Sequence, residues 1–138
     1  MKKCILFLIL SITSLAKAGD IIDLSPHYAD TTLILSYPVS REKYMAQPSW
    51  TAGSANIPLA QEAACTSALE WIKKKYPDLT LWIHQVDLKG DLFEKGKWHY
   101  EISFRGFQRP LVFGDDITKV VILFDGTIVE PVKAKPRK

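Results

Sequence analysis

Residues 58–88 read PLAQEAACTSALEWIKKKYPDLTLWIHQVDL, and within them the apolar spacing changes from the helical period to the strand period. Ala64, Cys65, Ala68, Leu69, Ile72 and Tyr76 recur at i, i+4 and i+8 steps, one face of a helix. Pro58 suits a first helical turn, where its missing N–H costs nothing, and no breaker follows until Pro77. Lys73, Lys74 and Lys75 fill the last turn, where cations meet the negative end of the helix dipole. That run therefore needs no polyanion to explain it. Past Pro77, Leu79, Leu81 and Ile83 alternate, as in a strand with one buried face.

The strand period continues outward from there. Trp98, Tyr100, Ile102 and Phe104 alternate along Lys97 to Arg105, linked to the preceding strand by a loop from Gly90 to Gly96. Ile117 to Phe124 makes a third strand and Thr127 to Val132 a fourth, joined by Asp125-Gly126. Such a dipeptide between apolar runs signals a tight hairpin with positive φ at both positions. Pro131 lacks a ladder donor, which places the last strand at an edge. The expected architecture is α+β: one helix packed on a four-stranded, mostly antiparallel sheet over residues 58–132. Ahead of it, residues 19–57 form an irregular N-terminal segment broken by Pro26, Pro38 and Pro48, with one extra short strand, Thr31 to Tyr37.

The Ala63-Ala64 and Ala68 helix, the Trp98-x-Tyr100-x-Ile102-x-Phe104 strand and the closing stretch Val120 to Val129 resemble a PepSY module, within the broader cystatin-like group. The resemblance covers residues 58–132 and leaves residues 19–56 without a counterpart. It implies a non-catalytic binding or peptidase-regulating domain.

The ends of the chain bear on where it works. Lys2 and Lys3, the apolar run Ile5 to Leu10 continuing to Leu15, and Ala16-Lys17-Ala18 have the three parts of a secretory signal peptide. We expect residues 1–18 to be removed near Ala18, giving an exported chain, periplasmic or extracellular. The run is shorter than the roughly 20 residues a membrane-spanning helix needs, so the mature chain is not expected to be an integral membrane protein. That segment holds three of the 18 basic residues and none of the 15 acidic ones, leaving a neutral mature chain. Lys133, Lys135, Arg137 and Lys138 crowd a basic tail, residues 133–138, so the body is acidic, which argues against a nucleic-acid partner. Of the two cysteines only Cys65 remains, which excludes an intramolecular disulfide. Its place on the apolar helix stripe makes it filler rather than a nucleophile.

Candidate sites follow from strand register. If Leu81 faces Phe104 and Ile83 faces Ile102, His84 lies opposite Glu101 and Val86 opposite His99. His84, His99 and Glu101 then form a diagonal cluster, a chemically reasonable zinc set or a solvated His–Glu pair. Trp82, Val86 and Leu88 lie on that same outward face as partner-binding candidates. Asp87, Asp91 and Glu94 crowd the first loop without the ligand order of a calcium loop. Asp115-Asp116 reads as a turn into the third strand, and His27 lies in a proline-flanked loop. No nucleophile elbow, zinc-protease motif or phosphate-binding loop is present, and no cofactor is expected.

The third strand is apolar on both faces, whereas one helix covers one face. Leu33, Ile34, Leu35, Tyr37 and Trp50 of the N-terminal segment are the natural cover for the second; otherwise that face takes a partner or a second copy. Three readings stand: an exported non-enzymatic domain binding a protein or peptide through a sheet face or edge strand, a metal-binding protein or metal-dependent enzyme using His84, His99 and Glu101, and a structural envelope protein with a basic tail.

Overall fold

The computed structural model describes residues 21–29, 32–92, 94–106 and 119–133. The expected signal peptide, the Asp115-Asp116 turn and the tail beyond Lys133 lie outside them. The elements run β1 (Ile21–Asp23), β2 (His27–Ala29), β3 (Thr32–Ser36), β4 (Pro38–Ser40), α1 (Arg41–Met45), α2 (Gln61–Lys75), β5 (Leu81–Gly90), β6 (Trp98–Gly106), β7 (Lys119–Leu123), β8 (Ile128–Val129) and β9 (Val132–Lys133). The fold is α+β. One main helix, α2, lies on the antiparallel sheet β5-β6-β7-β8, and two smaller sheets, β1-β4 and β2-β3-β9, accompany it.

Helix α2 buries Ala64, Ala68 and Ile72, the three positions of its i, i+4, i+8 stripe. Two of these are alanines, so the helix backbone can approach the sheet closely. It begins at Gln61, three residues beyond Pro58, because the chain ahead of it is held by tertiary contacts instead. Leu59 packs on the core and its carbonyl accepts the Tyr100 hydroxyl at 2.9 Å. The helix closes at Tyr76, whose N–H donates to Ile72 O, and Pro77 follows.

The first hairpin corrects the expected register. Ile83 pairs with Phe104, but a bulge lies between Ile83 and Gln85, after which Val86 pairs with Ile102 and Leu88 with Tyr100. The extra residue returns Val86 and Leu88 to the helix side, where they join Leu81 and Ile83 against the core. Strict alternation would have turned two of these four apolar residues away from the helix. The bulge lets all four contribute to one core, and burying apolar area is the dominant favourable contribution to folding. Tyr100, Ile102, Phe104, Val120, Ile122 and Phe124 complete the helix-side layer.

The second sheet face has its own core. Tyr37, Val39, Tyr44, Val121, Leu123 and Val129 are buried together, with Ile22, Leu24 and Leu35 packed around them. The N-terminal segment therefore covers this face, through Leu35 and Tyr37 as expected. The side chains of Leu33 and Ile34 lie outside the described residues, and Trp50 packs on the helix side. The segment contains more structure than the single strand read from Thr31 to Tyr37. Beyond β3 it holds β1, β2, β4 and the short α1, and His27 lies in a strand rather than a loop. These strands are three residues long, too short for an alternating pattern to stand out, and Pro38 begins one of them, a position a sheet tolerates. Ser40 caps α1, its Oγ accepting from Lys43 N at 3.2 Å.

The last hairpin differs in detail. Among the non-glycine residues described, Asn56 alone has positive φ, so Gly126 (φ 84°) takes the left-handed conformation and Asp125 does not. Gly126 N–H donates to Leu123 O and Leu123 N–H to Thr127 O, both at 2.9 Å, a three-residue loop ending in a glycine bulge. The expected fourth strand splits around Pro131: β8 stays in the main sheet, and Val132–Lys133 forms β9 beside β3.

Candidate functional site

The second face of the main sheet is apolar over β7 and β8 and polar over β6 and β5. Register places His99, Glu101 and Ser103 of β6 beside Leu123, Val121 and Lys119 of β7 on one side. On the other side they meet Lys89, Asp87 and Gln85 of β5. His99 and Glu101 are 4% and 7% exposed, so the sequence-predicted pair is buried rather than solvated. His99 Nε2 stands 3.6 Å from Glu101 Oε1, beyond hydrogen-bond length, and neither ring nitrogen has a hydrogen-bond partner. Lys119 Nζ donates to Glu101 Oε2 at 2.7 Å and to Ser25 Oγ at 2.9 Å, tying the N-terminal segment to the sheet. Burial pushes the Glu101 carboxyl up, but His99, Lys119 and Ser25 outweigh it and hold it at about 2.

This geometry limits the chemistry. A Ser–Lys pair activates serine only when the amine is neutral and can accept a proton. Here Lys119 Nζ donates to both Glu101 and Ser25, so it meets the serine as a donor and not as a proton acceptor. The third member of the expected zinc set is not brought in. His84 occupies the bulge, exposed, and Asp87 rather than His84 faces Glu101. Among the described residues no group of three or more His, Cys, Asp or Glu is placed to hold a metal ion. Cys65 is half-buried on α2, and burial, then the nearby Glu62 charge, raise its pKa, the opposite of an activated thiol.

The feature left for recognition is the edge beside this polar face. In the sheet order, β5 has β6 as its one strand neighbour among the described residues, and it runs for ten residues. The opposite edge, β8, is two residues long. Of the three partner-binding candidates, Trp82 lies outward and is 38% exposed, whereas Val86 and Leu88 face the helix. Leu92, in the loop that follows β5, is 93% exposed. Asp87, grouped by sequence with the first loop, lies instead in β5, where it and Lys89 alternate around Leu88 on one face. Sequence reading passed over Lys119, whose isolated charge heading the apolar run Val120 to Phe124 signals a buried partner.

No helix among the described residues is long and apolar enough to cross a membrane. No protein-family model matches the chain, and no curated protein or solved structure matches it. What the fold defines is a class: an α+β protein with a helix on one face of an antiparallel sheet and a strand-rich N-terminal cover on the other.

Proposed function

We propose that this chain is an exported, non-catalytic binding domain that takes an extended segment of a partner protein along the outer side of β5. The observation that carries this reading is the length of that edge: a ten-residue strand with one strand neighbour among the described residues, next to a half-exposed tryptophan. Backbone groups on the outer side of an edge strand are a template for an added strand, and neighbouring side chains supply selectivity. Both broad faces of the sheet are occupied, which favours the edge over a face. The signal-like residues 1–18 and the PepSY-like pattern support export and a peptide-binding or peptidase-regulating role.

The test is selection of displayed peptides on the purified protein, followed by amide hydrogen exchange with and without a selected peptide. New protection at Leu81–Gly90 is expected, and Trp82→Ala should weaken binding about tenfold, the loss typical of an aromatic anchor. Protection confined to other elements, or binding indifferent to Trp82→Ala, overturns the reading. Sequencing the N-terminus of the protein recovered from cells should find a start near Gly19; an intact Met1 start would remove the export part.

A further inference from the structure

We infer that the resting occupant of the β5 edge is β5 of a second copy of this chain, paired antiparallel about a two-fold axis at Leu88. This rests on the strand-addition reading above and names a partner for the same edge. A strand of ten residues with one strand neighbour among the described residues invites pairing, and a two-fold axis perpendicular to the sheet satisfies both copies at once. Such an axis keeps each residue on its own face, so the regular run Gln85–Gly90 can pair only in registers centred on a residue.

Charge selects among those registers. Centred on Asp87, the pairing sets Asp87 against itself; centred on Lys89, it sets two lysines together. Centred on Val86, Asp87 meets Gln85 and Lys89 falls at the bulge; centred on Gln85 the pairing runs into the bulge, and centred on Gly90 it sets Lys89 against Asp91 but runs past the end of β5. Centred on Leu88, Asp87 meets Lys89 of the second copy, twice by symmetry, with Leu88 against Leu88 and Val86 against Gly90. Opposite charges directly across a strand pair are favourable and like charges are not. Within the subunit Asp87 faces Glu101 of β6 and accepts a hydrogen bond from the neutral Gln85 amide at 2.8 Å, but among the described residues it has no cationic partner. Lys89, whose β6 partner is His99, forms no ion pair among the described residues and supplies one.

Sedimentation velocity on protein purified after expression of the full chain tests this, with thermal melts confirming that each variant is folded. Wild type and Lys89→Arg should be dimers. Asp87→Lys and Lys89→Asp, which each set like charges opposite, should weaken dimerisation about tenfold or more. The double reversal Asp87→Lys/Lys89→Asp should restore it. A wild type that stays monomeric at its highest soluble concentration overturns the inference. So do single reversals that leave the dimer intact, or a double reversal that stays monomeric with a native melt. Peptide selection on the monomeric variants separates the two proposals. A charge-dependent dimer whose monomeric variants take no peptide supports the pairing and sinks the peptide reading. Peptide captured on β5 of a wild type that never dimerises does the reverse.

Discussion

The two faces of the main sheet are built on different terms. Against α2, the buried side chains of β6, β7 and the turn after β7 are Tyr100, Ile102, Phe104, Val120, Ile122 and Phe124, an apolar layer closed by two alanines and an isoleucine of one regular helix. Against the N-terminal segment, Val121 and Leu123 are apolar, but His99 and Glu101 are buried beside them, with Lys119 half-buried. A regular helix covers a sheet by one repeating stripe. The N-terminal segment covers by particular contacts, among them Tyr37 Oη donating to Lys119 O at 3.1 Å and Lys97 Nζ donating to Gln47 O at 2.5 Å. The difference teaches that the second face is a core specified partly by polar matching, where single groups have partner-dependent signs.

The largest expected effect asks whether both faces are equally core. Ile122 and Leu123 are adjacent and fully buried, one on each face. Truncating either to alanine should cost about 2–5 kcal/mol in denaturant unfolding. A Leu123→Ala loss far below that of Ile122→Ala would show a loosely seated cover.

Glu101→Gln comes next, at about 1–3 kcal/mol, because Lys119 and Ser25 lose the ionised acceptor between them. Its pH signature has a definite sign. The folded pKa lies below the unfolded one, so the stabilisation is full above the unfolded range near 4.3 and fades as pH falls toward about 2. Wild type should lose stability through that window more steeply than Glu101→Gln, measured by urea titrations at several pH values. Parallel curves would mean that Glu101 does not carry the acid sensitivity.

Tyr37→Phe removes one hydrogen bond between cover and sheet and should cost about 0.5–1.5 kcal/mol, less than either core truncation. No change in the urea midpoint would remove that bond from the account of the cover. The smallest effect is expected at His99. Its buried ring nitrogens lack hydrogen bonds, which favours His99→Leu, but the ring also helps to hold Glu101 ionised, so the two should offset to within about 1 kcal/mol. A loss comparable to that of Glu101→Gln would show that His99 and Glu101 act as a coupled pair.

Much of the architecture was legible in the residues. The Ala64, Ala68, Ile72 stripe, the alternation from Trp98 to Phe104 and the Asp125-Gly126 turn each depend on near neighbours along the chain. The candidate site was legible in part. His99 and Glu101 share a face because they are two residues apart, which any register preserves. His84 was lost because a bulge inserts one residue, and a step of one moves everything beyond it to the other face. The same step puts Val86 and Leu88 on the helix side, where simple alternation places them outward. Lys119 and Ser25 could not be paired with Glu101 from spacing, being 18 and 76 positions away in the chain.

By itself, then, the sequence determined the helix, the antiparallel strands, the need to cover two sheet faces and Leu35 and Tyr37 as part of the cover. Those follow from periodicity and from the conformational limits of proline and glycine, which act over a few residues. Only the tertiary structure decided the bulge, the division of the last strand at Pro131, the burial of His99 with Glu101 and the exposure of β5 at the sheet edge. Those depend on which distant surfaces meet, where the apolar area gained across the whole fold outweighs the preference of any one strand for simple alternation.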